Sequence, residues 1–410
     1  MADTRNLSQT TSPEAAGFDS ARLAKLDAYL QGVVDEERVA GLSALLARHG
    51  QIVSFKTYGH MRLGGEPMAQ DAIFRTFSMS KPIMGVAMMI LLEESKWRLD
   101  DPVSRFLPEF NDLKVMTGVD AQGRPVLEAP NHPPTMRELI SHSAGFGVGK
   151  PGDPVTRMYE ELAGARTGNN QDMIRALATI PLAYQPGTYV QFSLSVDIQG
   201  AIIERLTGQT LGQFLDQRIF RPLRMPDTGF TVPSESAGRI APLYAAVEEA
   251  GPIKEADDFY GQTLPPWGRE SGGAGLFTTT MDYARFAQML ANKGELDGAR
   301  ILAPRTAELM GTNLLPRHLL VGSYGIAYVK YNEALGLGVN VMVGTNPGAD
   351  GNLEGKGTID WGSSSRSWWW MDPENDLTFV LMTQRLQGDR AGFNRAVRTL
   401  TYHALTQPDK

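Results

Sequence analysis

The chain contains no cysteine. That removes disulfides, thiolate metal sites and a cysteine nucleophile at once. Histidine is scarce: six residues, His49, His60, His132, His142, His318 and His403, are scattered without an H-x-x-x-H, H-E-x-x-H or calcium-loop pattern. Neither a metal nor any other cofactor is therefore expected. Basic runs are missing and the net charge is −7, which argues against a nucleic-acid groove. The opening MADTRNLSQTTSPEAAGF has neither a basic n-region nor an apolar h-region. No signal peptide, no membrane anchor and a cytoplasmic location are the expectation. There is no G-x-S-x-G elbow, which disfavours an ordinary α/β-hydrolase. Gly272-Gly273-Ala274-Gly275-Leu276 lacks the spacing and the lysine of a phosphate loop, so close backbone packing explains it better.

What remains is a globular composition: 410 residues, 42% hydrophobic and 21% charged, enough for one large domain or two sharing an interface. The stretch around which the chain is organised is Phe74–Leu92, FRTFSMSKPIMGVAMMILL. Its half from Pro82 to Leu92 is uncharged and too short to cross a bilayer, so it reads as a helix buried in the protein. Ser78 and Lys81 sit at its N-terminal end, three positions apart, which on a helix puts both side chains on one face. A serine hydroxyl needs a base to be nucleophilic at neutral pH. A lysine serves when desolvation or neighbouring positive charge lowers its pKa, and first-turn N–H groups can stabilise developing negative charge.

Periodicity orders the rest. Residues 18–34 read as a helix, and Leu42–Ala47 and Ile52–Tyr58 as two strands with a turn at His49, where a solvated histidine is expected. From Leu99 to about residue 270, proline and glycine interrupt most segments, as in a mainly helical insertion. Within it lie a short helix at Thr135–Ile140, a loop whose His142 is read as a structural hydrogen-bonder, and a helix from Val196 to Leu206 stopped by Gly208. Helices are expected at Asp282–Leu290 and Pro304–Met310, strands at Val339–Val343, Trp368–Met371 and Leu377–Met382, and a closing helix at Ala391–His403. The domain expectation is a discontinuous sheet unit (15–98 and 320–405), a mainly helical unit (99–319) and an N-terminal extension (1–14). The fold class is α+β: one antiparallel sheet assembled from both termini and flanked by helices.

Together these motifs resemble the serine beta-lactamase and penicillin-binding-protein superfamily, and most of all its class C-like (family VIII) carboxylesterases. Ser78-Met79-Ser80-Lys81 matches the family's nucleophile motif. Leu139–Phe146 is similar to its histidine–glycine loop, and Trp361-Gly362-Ser363 falls where many esterase members carry W-G-G and beta-lactamases K-T-G. The resemblance implies Ser78 as nucleophile, Lys81 as base, and the amides of Ser78 and Ser364 as oxyanion hole. It implies a pocket lined by Phe192, Tyr189, Trp361, Gly362 and Ser363, and a small-molecule ester as substrate. Trp361 in place of the beta-lactamase lysine favours an apolar acyl ester over a carboxylate-bearing antibiotic. Trp368, Trp369 and Trp370 are expected in the core, with at most one touching substrate.

One position departs from the pattern. The family's second motif is a tyrosine shortly after a Pro-Gly, and counting from Pro186-Gly187 that position is Phe192, which cannot move a proton. The chain is then an impaired variant or noncatalytic binding protein, or Lys81 relays with a water, or Tyr184, Tyr189 or Tyr324 fills the gap. Amide or peptide hydrolysis and acyl transfer are the alternatives to ester cleavage; the missing hydroxyl favours esters, whose leaving groups need a proton less urgently than amines. Oligomeric state is left open.

Overall fold

Apolar runs from the two ends of the sequence pair into a single sheet. The computed structural model describes residues 5–147, 152–164, 168–192, 194–246, 253–256, 269–321, 325–326, 329–330, 334–386 and 390–409. Near the N-terminus, β1 (Gly41–Arg48) and β2 (Gln51–Gly59) form the expected hairpin, with His49 and Gly50 in the turn at φ of 52° and 73°. The other strands come from the C-terminal part: β3 (Leu335–Leu337), β4 (Met342–Gly344), β5 (Ile359–Gly362), β6 (Trp368–Asp372) and β7 (Leu377–Thr383). Their order is β3-β4-β5-β6-β7-β1-β2, antiparallel at every junction. The two ends meet where β1 pairs with β7, Leu45 opposite Val380.

The strand expected at Val339–Val343 is shorter and displaced. Only Met342–Gly344 is extended, because Asn340 turns the chain with φ 54°. Asparagine tolerates that left-handed conformation, and its buried side-chain amide exchanges hydrogen bonds with Gln199 at 2.7 and 3.2 Å.

Period-two alternation divides the two faces. On β6, Trp368 and Trp370 point to the face covered by α1 (Ser20–Asp35) and α6 (Arg390–Ala404), while Trp369 points to the other, against Tyr283 and Phe286 of α5 (Thr280–Ala291). All three indoles are buried, as expected. Under the outer layer Arg398 of α6 lies over the Trp368 and Trp370 rings and pairs with Glu354 and Asp360. Arg398→Met should cost about 3–5 kcal/mol of stability, because two carboxylates lose their buried counter-charge. Denaturant melts of both chains check this.

Against the inner face lies the helical part. In α2 (Ser80–Glu93) every residue from Ser80 to Leu91 is buried, so the uncharged run is a core helix. It packs against α4 (Ser195–Thr207) and the helix Pro304–Met310. Gly85 in mid-helix is a close approach: a Cβ there would lie 2.6 Å from the Val339 carbonyl. The short α3 (Met136–Ile140) opens with a Thr135/Glu138 capping box, and α4 stops at Gly208 with φ 70°, as glycine after the last turn allows. Among the described residues no helix is long and apolar enough to cross a membrane.

Candidate active site

Ser78 is not on the buried helix itself. It lies in a one-turn 3-10 helix, Phe77–Met79, immediately before α2, and Phe77 has a left-handed φ of 45°. A bulky residue holds that conformation only when its surroundings enforce it, and here they do. Thr76 donates its amide and its hydroxyl to the Leu276 carbonyl at 2.9 and 2.7 Å. The Leu276 amide donates to Ser80 Oγ at 3.2 Å, and the Tyr283 hydroxyl to the Met79 carbonyl at 2.9 Å. Strand β5 packs beside this turn, which brings the turn that carries Ser78 next to the strand that carries Trp361.

Lys81, in the first turn of α2, donates from Nζ to Ser78 Oγ at 3.0 Å and to the Gly273 carbonyl at 2.7 Å. The expected Ser–Lys pair is therefore in contact, although the serine arrives from a turn rather than a helix. Burial lowers the Lys81 pKa to about 8, partly offset by the negative charge of Asp197. An ordinary lysine holds its proton until far higher pH; this one releases it within reach of neutrality. Gly273 bears out the close-packing reading, since a Cβ on it would lie 2.6 Å from Asp197 Oδ2. Its carbonyl's contact with Lys81 has no signature in the sequence.

Around this pair the structure gathers three rings. Phe192 lies edge-on to His142 with centroids 4.8 Å apart and edge-on to Trp361 at 5.0 Å; His142 stacks on Trp361 at 5.9 Å. Phe192 is half-buried and Trp361 buried. His142 differs from its reading as a hydrogen-bonding side chain. Its carbonyl accepts from the Gln191 amide at 2.8 Å, so the backbone ties the loop, whereas neither buried ring nitrogen has a hydrogen-bond partner among the described residues. Burial, reinforced by the charge of Lys81, lowers its pKa to about 3, so the imidazole is neutral.

At the β5–β6 turn Gly362 is partly exposed, Ser363 buried and Ser364 exposed. Ser363 is not among the residues with positive φ, and its amide donates to Ser367 O at 2.9 Å, so serine sits there without backbone strain. Of the three tyrosines considered as relays, Tyr184 and Tyr189 stack on one another at 4.4 Å. Burial, with contributions from Tyr189 and Asp153, raises the Tyr184 pKa, which keeps its proton on. Tyr324, like Ser193, lies outside the described residues. Sequence reasoning missed His142 as a ring of the pocket, the Gly273 carbonyl, and Asp197, whose one available signal was its place five residues after Phe192.

A serine-bearing turn beside an inner strand of an antiparallel sheet, with a lysine from a buried helix against the serine, is the arrangement of a beta-lactamase-like protein. Residues 26–402 match the Beta-lactamase family model, and the chain belongs to that family. It is 32% identical to Protein Rv1367c of Mycobacterium tuberculosis (strain ATCC 25618 / H37Rv) over 370 residues, 87% of this chain and 88% of that protein. It is 29% identical to esterase EstB of Burkholderia gladioli over 395 residues, 90% of this chain and 93% of EstB. Among solved structures it is similar to EstCE1, a hydrolase with promiscuous acyltransferase activity, with a TM-score of 0.75 and 26% identity over 93% of this chain and 99% of that one.

Proposed function

We propose that this chain is a serine hydrolase that cleaves a small or medium carboxylic ester through an acyl-enzyme on Ser78, with Lys81 as the base. The observation that carries the reading is the 3.0 Å contact between Lys81 Nζ and Ser78 Oγ. The neutral amine takes the hydroxyl proton as Oγ bonds to the ester carbonyl carbon, and the ammonium formed returns a proton to the departing alcohol. Water then repeats the sequence on the acyl group. The amides of Ser78 and Ser364 hold the oxyanion, and the Phe192, Trp361 and His142 rings give the pocket an apolar wall. The names of EstB and EstCE1 support ester chemistry, with acyl transfer to an alcohol as the variant of the second step.

Because the reactive form of Lys81 is the neutral one, kcat/KM should rise with pH and level off above a midpoint near the Lys81 pKa of about 8. A profile already flat from pH 6 would contradict a lysine base. Turnover of an ester and its matched amide tests the reaction class: the ester should be faster, and faster amide cleavage would reverse the assignment. A second reading, a binding protein that keeps the pocket without the reaction, is favoured by one observation, the phenylalanine ring at position 192.

A further inference from the structure

The loop that offers the Gly273 carbonyl to Lys81 is held by a buried ion pair. Asp197, in the first turn of α4, accepts from Arg269 Nη1 at 2.9 Å and from Ser271 Oγ at 2.6 Å. All three residues are buried. The other carboxylate oxygen lies against the Gly273 backbone, leaving no room for a Cβ. The Ser271 carbonyl then accepts the amide of Gly275 at 2.8 Å, closing the turn that aims the Gly273 oxygen at Nζ. Connectivity therefore runs from Asp197 through Ser271 and Gly273 to the amine. A buried ion pair is a poor way to gain stability alone, and the proposed reaction makes no direct use of either charge.

We propose that Asp197 and Arg269 are positioning residues for Lys81: the pair fixes the Gly273 carbonyl on the amine, and the balance of the two opposite charges sets how readily that amine gives up its proton. This rests on the reading of Lys81 as the base. Burial is the largest influence on the Lys81 pKa, lowering it, and the Asp197 charge the next, raising it; the other ionisable groups described on the surrounding elements are neutral or engaged. His142, from the loop after α3, is neutral where it stands. Asp360 on β5 is paired with Arg398, and Arg305 and Glu308 on the helix Pro304–Met310 pair with one another. Tyr283 of α5 spends its hydroxyl on the Met79 carbonyl. An anion near an amine favours the ammonium, and a cation near it favours the free base. Removing one charge or the other must therefore move Lys81 in opposite directions, a response that a purely structural pair would not give.

The test is an NMR titration of the whole protein labelled with 13C-lysine, following the Lys81 Cε resonance, assigned by its loss in Lys81→Met. Asp197→Asn, nearly isosteric, should lower the Lys81 midpoint by about 1 pH unit or more, and Arg269→Gln should raise it by a similar amount. Ser271→Ala, which removes a hydrogen bond but no charge, should move it far less. Shifts of the same sign in the two charge variants, or no shift in either, would overturn the proposal. Should Arg269→Gln fail to fold, Arg269→Lys keeps the charge and should leave the midpoint near that of the parent. The sign of the Asp197→Asn shift then decides alone, and a rise or no change overturns the proposal. The titration reads Lys81 whether or not Ser78 turns over an ester. Opposite shifts in an inert chain would thus remove the hydrolase reading while leaving the control of the Lys81 proton by the two charges standing, and a reactive chain without them would do the reverse.

Discussion

Phe192→Tyr raises kcat/KM on an unactivated ester by about 10²–10⁴-fold, the range ascribed to a positioned acid–base group, and by much less on an activated phenyl ester. The ring is already present, half-buried between His142 and Trp361, so the substitution adds one oxygen. A hydrogen-bonding group stands beside it, since neither ring nitrogen of His142 has a partner among the described residues. The leaving-group dependence follows from the relay: a poor leaving group must receive a proton as it departs, whereas a phenolate does not. If the site has been rebuilt around another donor, the new hydroxyl is redundant, and burying it unpaired costs roughly 1–3 kcal/mol. The check is kcat/KM of both chains across pH on the two esters. A change within a few-fold on both would refute the missing-relay account and turn attention to Tyr184→Phe, Tyr189→Phe and Tyr324→Phe, made singly.

Lys81→Met has the opposite effect, lowering kcat/KM by about 10²–10⁴-fold and abolishing the rise in activity through pH 8. Methionine keeps an unbranched chain of similar length in the buried channel but offers no lone pair to the Ser78 proton. The Gly273 carbonyl loses its donor, so a modest loss of stability accompanies the substitution, and circular dichroism with thermal melts separates folding from chemistry. Lys81→Arg sharpens the reading. It retains a cation but cannot be deprotonated in this range, and should be as slow as the methionine variant. A Lys81→Met chain that kept an inflection near pH 8 would place the base elsewhere.

Local pattern made much of this protein legible. Three-residue spacing joined Ser78 to Lys81 because the contact is local, and the apolar runs Leu42–Ala47 and Leu377–Met382 gave strands because both are buried along their whole length between two layers. The conformation of the turn that carries Ser78 was not legible. Phe77 adopts a left-handed backbone only because Leu276 and Tyr283, far along the chain, hold the turn from the other side. The short strand Leu335–Leu337 escaped, and the strand expected at Val339–Val343 proved displaced to Met342–Gly344, for a related reason: three residues carry no period, and the turn between the two depends on Gln199 reaching Asn340. The groups around Lys81 were hidden likewise. An aspartate in a helix's first turn reads as a favourable charge for the helix dipole, and nothing in its sequence neighbours reveals Arg269 or the Gly273 loop.

The central claim is that Ser78 is a nucleophile activated in place by Lys81, and covalent labelling tests it most directly. Incubation with a serine-reactive phosphonate, followed by intact mass and peptide mapping, should give one adduct per chain on Ser78. Labelling should quicken as pH rises through about 8, disappear in Ser78→Ala and slow sharply in Lys81→Met. No adduct at any pH, or an adduct that survives Ser78→Ala, would contradict it.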